Sequence, residues 1–127
     1  PEGATALVYS RGSVPATSLG MLQKGMTSVT AASKTTYTAV ASDQIVVDTV
    51  ANPVTITLPS SPAVGDEVTI MDGSASNGFA TNNCIIDRGG SNIEGSAAND
   101  TLATNNQCVT LIYANATKGW LYKSTNQ

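Results

Sequence analysis

The feature that most constrains this chain is a series of short runs, rich in β-branched and aromatic residues, between positions 36 and 123. The runs read TYTAVAS, QIVVDT, PVTITLP, DEVTIMD, CIIDR, NIEG, CVTLIY and GWLY, and Gly, Pro, Asn or Asp bounds each of them. In one run Val54, Ile56 and Leu58 alternate with threonines, which is the period of a half-buried strand. Evenly spaced short strands with turn signals between them predict an all-β fold. We expect residues 36–127 to form a compact antiparallel β-sandwich or a barrel-like domain.

Residues 1–35 differ from the rest, because they are rich in Gly, Pro, Ser and Thr and have poor periodicity. They are predicted to form an extended N-terminal arm for attachment or subunit exchange. Its apolar residues are the expected contacts with a particle or another subunit, namely Leu7, Val8, Tyr9, Leu19, Met21 and Leu22. The arm has a net charge of +2 and the remainder −5, so the arm could lie across a neighbouring copy or an acidic partner. A tail with incidental charges is the alternative.

Composition excludes several classes of partner. Only 12% of residues are charged and the net charge is −3, so the clustered Lys and Arg that nucleic acids or anionic membranes attract are absent. No apolar run is long enough for a membrane span. A chain of this size buries limited surface by itself, so we expect another subunit to cover part of its apolar surface. No repeat of fixed period is present, and the sequence therefore does not predict a solenoid.

The sequence contains no catalytic motif. The absence of His excludes a Ser/His/Asp or Cys/His arrangement. We predict no catalytic residue, no cofactor and no metal ligand, and two unpaired thiols, Cys84 and Cys108, on different faces of their strands. Asp72 and Asp87 each close a strand, which favours a role in capping turns. A shared cation site and a pair of glycosidase acids remain the alternatives for these two carboxylates.

Two aromatic residues are candidates for ligand contact. Phe79 lies between Gly78 and Ala80 in a polar loop, so it is expected to be exposed and to meet a subunit or a ligand. Trp120 shares a strand face with Tyr122. That placement favours an anchor in the core or at a subunit contact, with a sugar-binding platform as the alternative.

Several motifs occur in a characteristic order. They are Tyr37-Thr38-Ala39-Val40, Asp43-Gln44-Ile45-Val46-Val47-Asp48, Val54-Thr55-Ile56-Thr57-Leu58-Pro59, Gly65-Asp66-Glu67-Val68-Thr69-Ile70, Asp72-Gly73, Asn82-Asn83, Asn92-Ile93-Glu94-Gly95, Val109-Thr110-Leu111-Ile112-Tyr113 and Gly119-Trp120. In this order the block 36–122 resembles a small β module of tailed-bacteriophage fiber and fiber-like virion proteins. The arm resembles no family that we recognise, and the chain lacks the long shaft typical of fibers.

The resemblance implies a non-enzymatic, trimeric structural protein on the virion surface, assembled in the host cytoplasm. Its expected partners are other phage structural proteins of the capsid, neck or tail. We expect a decoration or short-fiber protein that attaches through the arm and projects the β domain. The alternative is a receptor- or carbohydrate-binding module of a tail fiber, with loops 72–83 and 95–107 contacting a host-surface glycan. An enzyme such as a glycan depolymerase is a third possibility, supported only by scattered carboxylates.

Overall fold

The computed structural model describes residues 25–126, and these residues form strands, turns and bends without a helix. The nine strands are β1 Met26–Thr30, β2 Thr36–Thr38, β3 Gln44–Asp48, β4 Val54–Thr57, β5 Glu67–Asp72, β6 Cys84–Asp87, β7 Asp100–Leu102, β8 Cys108–Asn115 and β9 Gly119–Asn126. The predicted all-β class is therefore confirmed. Over this same stretch, no helix is present that could span a membrane.

The strands form two mixed sheets that the chain enters alternately. The five-stranded sheet has the order β1-β3-β5-β8-β9, and the four-stranded sheet has the order β2-β4-β6-β7. Strands β1 to β6 therefore form three successive pairs, each with one strand in either sheet, and we call each pair a rung. Neighbouring rungs pair in parallel in both sheets. This is the connectivity of a β-solenoid.

The predicted antiparallel arrangement is wrong for these three rungs. Among the nine described strands, the antiparallel pairs are β5 with β8, β6 with β7, and β8 with β9. The physical reason is the crossover: a strand that returns to its sheet after a single strand in the other sheet runs parallel to its predecessor. Strand β8 returns after two such strands, β6 and β7, and therefore runs antiparallel to β5. Alternation in the sequence indicates which side chains face inward, but it does not reveal which strand is the neighbour.

The rungs differ in length, which explains why no repeat is visible in the sequence. Met26 pairs with Gln44, and Gln44 pairs with Thr69, so the second step along the chain is longer than the first. The four-stranded sheet shows the same trend, since Thr55 pairs with Thr36 and then with Ile85. The extra residues lie in the connections and leave the strands in register.

The core lies between the two sheets and is built by alternate residues of each strand. In β4, Val54 and Ile56 are fully buried while the intervening threonines are partly exposed. The largest fully buried side chains come from both sheets and from two connections between strands: Trp120, Phe79, Ile45, Ile56, Leu58, Ile70, Ile86, Leu102 and Leu111. Each such aliphatic or Phe side chain contributes about 1.5–3 kcal/mol by leaving water.

Strand β1 lies within the residues assigned to the arm, pairs along its length with β3, and buries Val29 and Ala31. The sequence MTSVT carries no large apolar residue on its inward face except Val29, which explains why it was not recognised as a strand. The six predicted contact residues of the arm lie outside the described residues.

A close backbone approach fixes the last hairpin. Gly119 has φ of 71°, and a Cβ atom there would collide with the backbone of Asn92. The Trp120 amide also donates to the Asn92 carbonyl at 2.8 Å. Only glycine combines the left-handed conformation with this contact, so Gly119 positions Trp120 against the 92–96 turn.

Candidate functional site

Two loops that the sequence marks as candidate contacts lie side by side in the structure. The Asn106 amide donates to Asp72 Oδ2 at 3.0 Å, and the Ala80 amide donates to Asn105 Oδ1 at 3.0 Å. We call segments 73–83 and 103–107 the paired loops. The first follows β5 and the second connects β7 to β8, so residues distant in sequence form one surface. The segment 95–99 was also predicted to belong to the contact surface. Within residues 25–126, no hydrogen bond joins it to loop 73–83.

Asp72, the last residue of β5, holds the paired loops together. Its Oδ1 accepts the Ser74 amide at 3.0 Å, and its Oδ2 accepts the Phe79 amide at 3.1 Å in addition to that of Asn106. Burial by itself raises the pKa of Asp72, but these hydrogen bonds and one from the Ser74 side chain outweigh it, so the pKa lies below its ordinary value. The predicted capping role is confirmed for Asp72. It is also confirmed for Asp87, which accepts the Gly89 amide at 2.9 Å.

The expectation that Phe79 is exposed is wrong. Its side chain is fully buried, and the loop closes over it through its own polar groups. Asn83 Nδ2 donates to the Phe79 carbonyl at 2.5 Å, while the Phe79 amide is held by Asp72. A loop with few apolar residues becomes ordered by wrapping around the one aromatic ring that it contains. Phe79 therefore anchors the loop from below and does not present a ring to a ligand.

Gly78 permits the close packing of the two loops. A Cβ atom at this position would collide with Asp72 Oδ2 and would lie 2.9 Å from Asn105 Oδ1. Exposed residues around it include Ser76, Asn77 and Asn105. Asn77 has φ of 48°, a conformation that Asn tolerates better than most residues. The resulting surface offers hydroxyl and amide groups without formal charge, which suits hydrogen bonding to a polar, uncharged partner.

Trp120 also lies in the core, as one of its two predicted roles required. It is fully buried and packs edge-to-face against Tyr113, with ring centroids 5.6 Å apart and an interplanar angle of 69°. Within residues 25–126 no acceptor reaches its buried Nε1. A fully buried indole cannot serve as a sugar-binding platform in this conformation.

A second surface carries two carboxylates beside a tyrosine. A cleft of about 240 Å³ is lined by Ile93, Glu94, Ser96, Ala98, Asn99 and Asp100. The Tyr122 hydroxyl donates to Asp100 Oδ2, and the Tyr122 amide donates to Glu94 Oε2 at 2.9 Å. Burial, followed by the effects of Asp100 and Glu94, raises the pKa of Tyr122, so the hydroxyl stays protonated. Both carboxylates therefore connect the 93–100 segment to β9.

A larger cleft, of about 330 Å³, lies at the starts of β3 and β5 and contains three carboxylates. Asp43 accepts the Tyr37 hydroxyl and the Val40 amide, each at 2.9 Å. Asp66 accepts the Ala63 amide at 2.9 Å. Glu67 forms an exposed ion pair with Lys123 at 2.8 Å. These contacts shape turns, and the described part of the chain holds no group of three or more His, Cys, Asp or Glu suited to a metal ion.

The two cysteines are free thiols, as predicted. Cys84 is buried beside Ile86 on the inward face of β6, whereas Cys108 is partly exposed on the opposite face from buried Val109 and Leu111. Burial, with a smaller contribution from the charge of Asp72, raises the pKa of Cys84 to about 12. Cys84 is accordingly a small apolar core residue and not a nucleophile.

No protein family model matches the chain, and no curated protein is significantly similar to it.

Proposed function

We propose that this chain is a structural protein on the surface of a tailed-bacteriophage virion. In this proposal it is a trimeric decoration or short-fiber protein that attaches by its N-terminal segment and projects the β domain outward. The observation that carries the proposal is that Asp72 accepts hydrogen bonds from both of the paired loops. Its carboxylate is occupied in fixing two polar loops on a rigid scaffold, which suits a protein that acts by binding and position. The resemblance of residues 36–122 to phage fiber modules supports the same function.

Attachment in this proposal is assigned to residues 1–24, because Met26 to Thr30 belong to the sheet. Copies that bridge neighbouring particle subunits stabilise the assembled state by linkage, since they bind it and not the dissociated subunits. A threefold arrangement multiplies weak individual contacts through effective concentration. No turnover of a substrate is part of this mechanism.

The test compares the 127-residue chain with a variant that lacks residues 1–24, and both are incubated with undecorated virions and sedimented. We expect the full chain to pellet with the particles and the truncated chain to remain in the supernatant. Circular dichroism and thermal unfolding establish whether the truncated domain is folded. A folded, truncated protein that still sediments with virions would refute attachment through this segment.

The alternative function, a receptor- or carbohydrate-binding module, is favoured by one specific observation, the uncharged polar surface of the paired loops. Phe79 and Trp120 are unsuitable probes of it, because both are buried. Asn77→Gly removes an exposed amide side chain and suits the positive φ of 48° at this position. Thr117→Ala, in the exposed turn between β8 and β9, is the matched control. Saturable glycan-array binding that is lost only in Asn77→Gly would favour this alternative.

A further inference from the structure

The end of the solenoid formed by the first rung is open within the described residues. Strand β1 is the first strand of the five-stranded sheet, and β2 is the first strand of the four-stranded sheet. Because β1 and β2 belong to the same rung, their outer edges lie at the same end of the stack. A solenoid normally requires a cap at each end, since an uncovered rung exposes unpaired backbone groups.

Hydrogen bonds identify the backbone groups that point away from the second rung. The Ala31 amide donates to the Asp48 carbonyl at 2.9 Å, and the Ala39 amide donates to the Thr57 carbonyl at 2.8 Å. In a parallel ladder alternate residues of a strand bond to one neighbour. It follows that Met26 and Ser28 in β1 direct their amide and carbonyl groups to the open edge. By the same reasoning Thr36 and Thr38 do so in β2.

Neither of these edge strands contains a feature that prevents further pairing. The sequences MTSVT and TYT lack Pro and charged residues, and their registers with β3 and β4 are uninterrupted. At the other end of the five-stranded sheet, β9 carries Lys123, and its pairing with β8 has two register shifts. Charges and bulges are the usual protection of edge strands. The first rung is therefore built to be covered, and the far edge is built to remain free.

We propose that residues 6–9 and 19–22 of the same chain form one further rung that covers these edges. Residues 6–9 would pair with β1 and residues 19–22 with β2. The two runs begin at positions 6 and 19. The strands of the described rungs begin at 26 and 36, at 44 and 54, and at 67 and 84, which is 10, 10 and 17 residues apart, so the 13 residues between the starts of the two runs fall within the range observed inside a rung. The chain enters β1 directly after Gly25, which keeps this segment at high effective concentration beside both edges.

The alternation of side chains fits the same placement. A shift of 20 residues, against 18 between the first two rungs, would bring Leu7 and Tyr9 to the level of Thr27 and Val29, the inward residues of β1. In the other sheet a shift of 18 residues, against 19 between β2 and β4, would bring Leu19 and Met21 to the level of the inward residues of β2, Tyr37 and Ala39. In the proposed rung these four apolar side chains would extend the core, and Val8 and Leu22 would face outward.

Charge complementarity favours the same occupant. Residues 1–24 carry a net charge of +1, and the described residues carry −4. The inference is independent of the proposed virion function. It divides the six apolar residues assigned to attachment into four that pack inward and two, Val8 and Leu22, that stay available to a particle.

Hydrogen exchange of the 127-residue chain, followed by NMR, tests the proposal. The Ser28 amide should be protected because it bonds to the added strand, and Leu7→Asp should reduce this protection by roughly tenfold or more. Val8→Asp introduces the same charge on the outward face and should leave it unchanged. An unprotected Ser28 amide in the parent protein, or equal effects of the two substitutions, would overturn the proposal.

Chemical cross-linking identifies which chain supplies the strand. In a Cys108→Ser background, Val8→Cys and Ser28→Cys are combined and treated with a short bismaleimide. We expect an intrachain product that migrates as one chain. Its digest should contain a cross-linked peptide pair from the segments around positions 8 and 28. Val8→Cys with Thr117→Cys is the control pair and should give no intrachain product. Interchain products from the first pair would identify a neighbouring copy as the occupant and overturn the same-chain proposal. No virion is involved in this experiment, so its result does not depend on whether the protein attaches to particles.

Discussion

Asp72→Asn should separate the paired loops while leaving the sheets assembled. The two carboxylate oxygens of Asp72 accept three backbone amides, from Ser74, Phe79 and Asn106. Asparagine replaces one oxygen with an NH₂ group, so one or two of these bonds are lost in either orientation of the amide. A hydrogen bond to a charged group contributes about 1.5–3 kcal/mol, and a neutral one about 0.5–1.5 kcal/mol. Because Asp72 is partly exposed, we use the lower values and expect a loss of about 1–3 kcal/mol in the free energy of unfolding.

The assay for Asp72→Asn is urea denaturation at several pH values. The folded-state pKa of Asp72 is below its ordinary value of 3.8, so its carboxylate stabilises the protein above that pH. This stabilisation is lost as the pH falls through the lowered pKa. The difference between parent and Asp72→Asn should therefore be full at pH 7 and shrink below about pH 4. Asp48→Asn is the control, since Asp48 accepts only the local Val50 amide among its described side-chain bonds. Equal stability of parent and Asp72→Asn at pH 7, or a difference that persists at pH 2, would refute this account.

Three further predictions concern packing. Gly119→Ala should destabilise the protein by about 2–4 kcal/mol in the same assay. The control is Gly90→Ala, where φ is also positive but the space around the residue is open, and it should cost about 1–2 kcal/mol. Equal losses of stability in the two variants would contradict the backbone contact at Gly119. Phe79→Ala should lower the free energy of unfolding by about 3–5 kcal/mol, measured by calorimetry, and Phe79→Leu should lower it by less than about 1.5 kcal/mol. An unchanged stability of Phe79→Ala would mean that the ring is not in the core. In the folded protein at pH 8, a maleimide should label Cys108 and leave Cys84 unmodified until denaturant is added; rapid native labelling of Cys84, read by mass spectrometry, would disagree with its burial.

The sequence predicted the strands whose inward residues are large and aliphatic. Residues 84–87 were assigned correctly, and β3, β4, β5 and β8 were found with small errors at their ends. Two strands were missed for a common reason. β1 and β7 each bury a single large apolar side chain, Val29 and Leu102, so neither has a periodic pattern to detect. Such strands form because a neighbouring strand offers an edge, which is a property of the tertiary structure.

The candidate site was predictable in location but not in its construction. Polar loops rich in Gly and Asn marked both halves of the paired loops, and the position of Asp72 after a strand suggested a cap. Its bonds to Phe79 and Asn106 span 7 and 34 residues, and no local pattern encodes the longer one. Phe79 was misassigned because its neighbours are polar, whereas its burial depends on the loop closing over it.

The unequal lengths of the rungs have a practical consequence. The connection between β5 and β6 is long, yet β5 keeps its register with β3 and β6 keeps its register with β4. The length of this connection therefore does not affect how the strands pair. The exposed positions 75–77, flanked by the interactions of Asp72 and Gly78, are thus a natural place to graft a foreign peptide. The molecule could serve as a display scaffold whose insert changes while its framework does not.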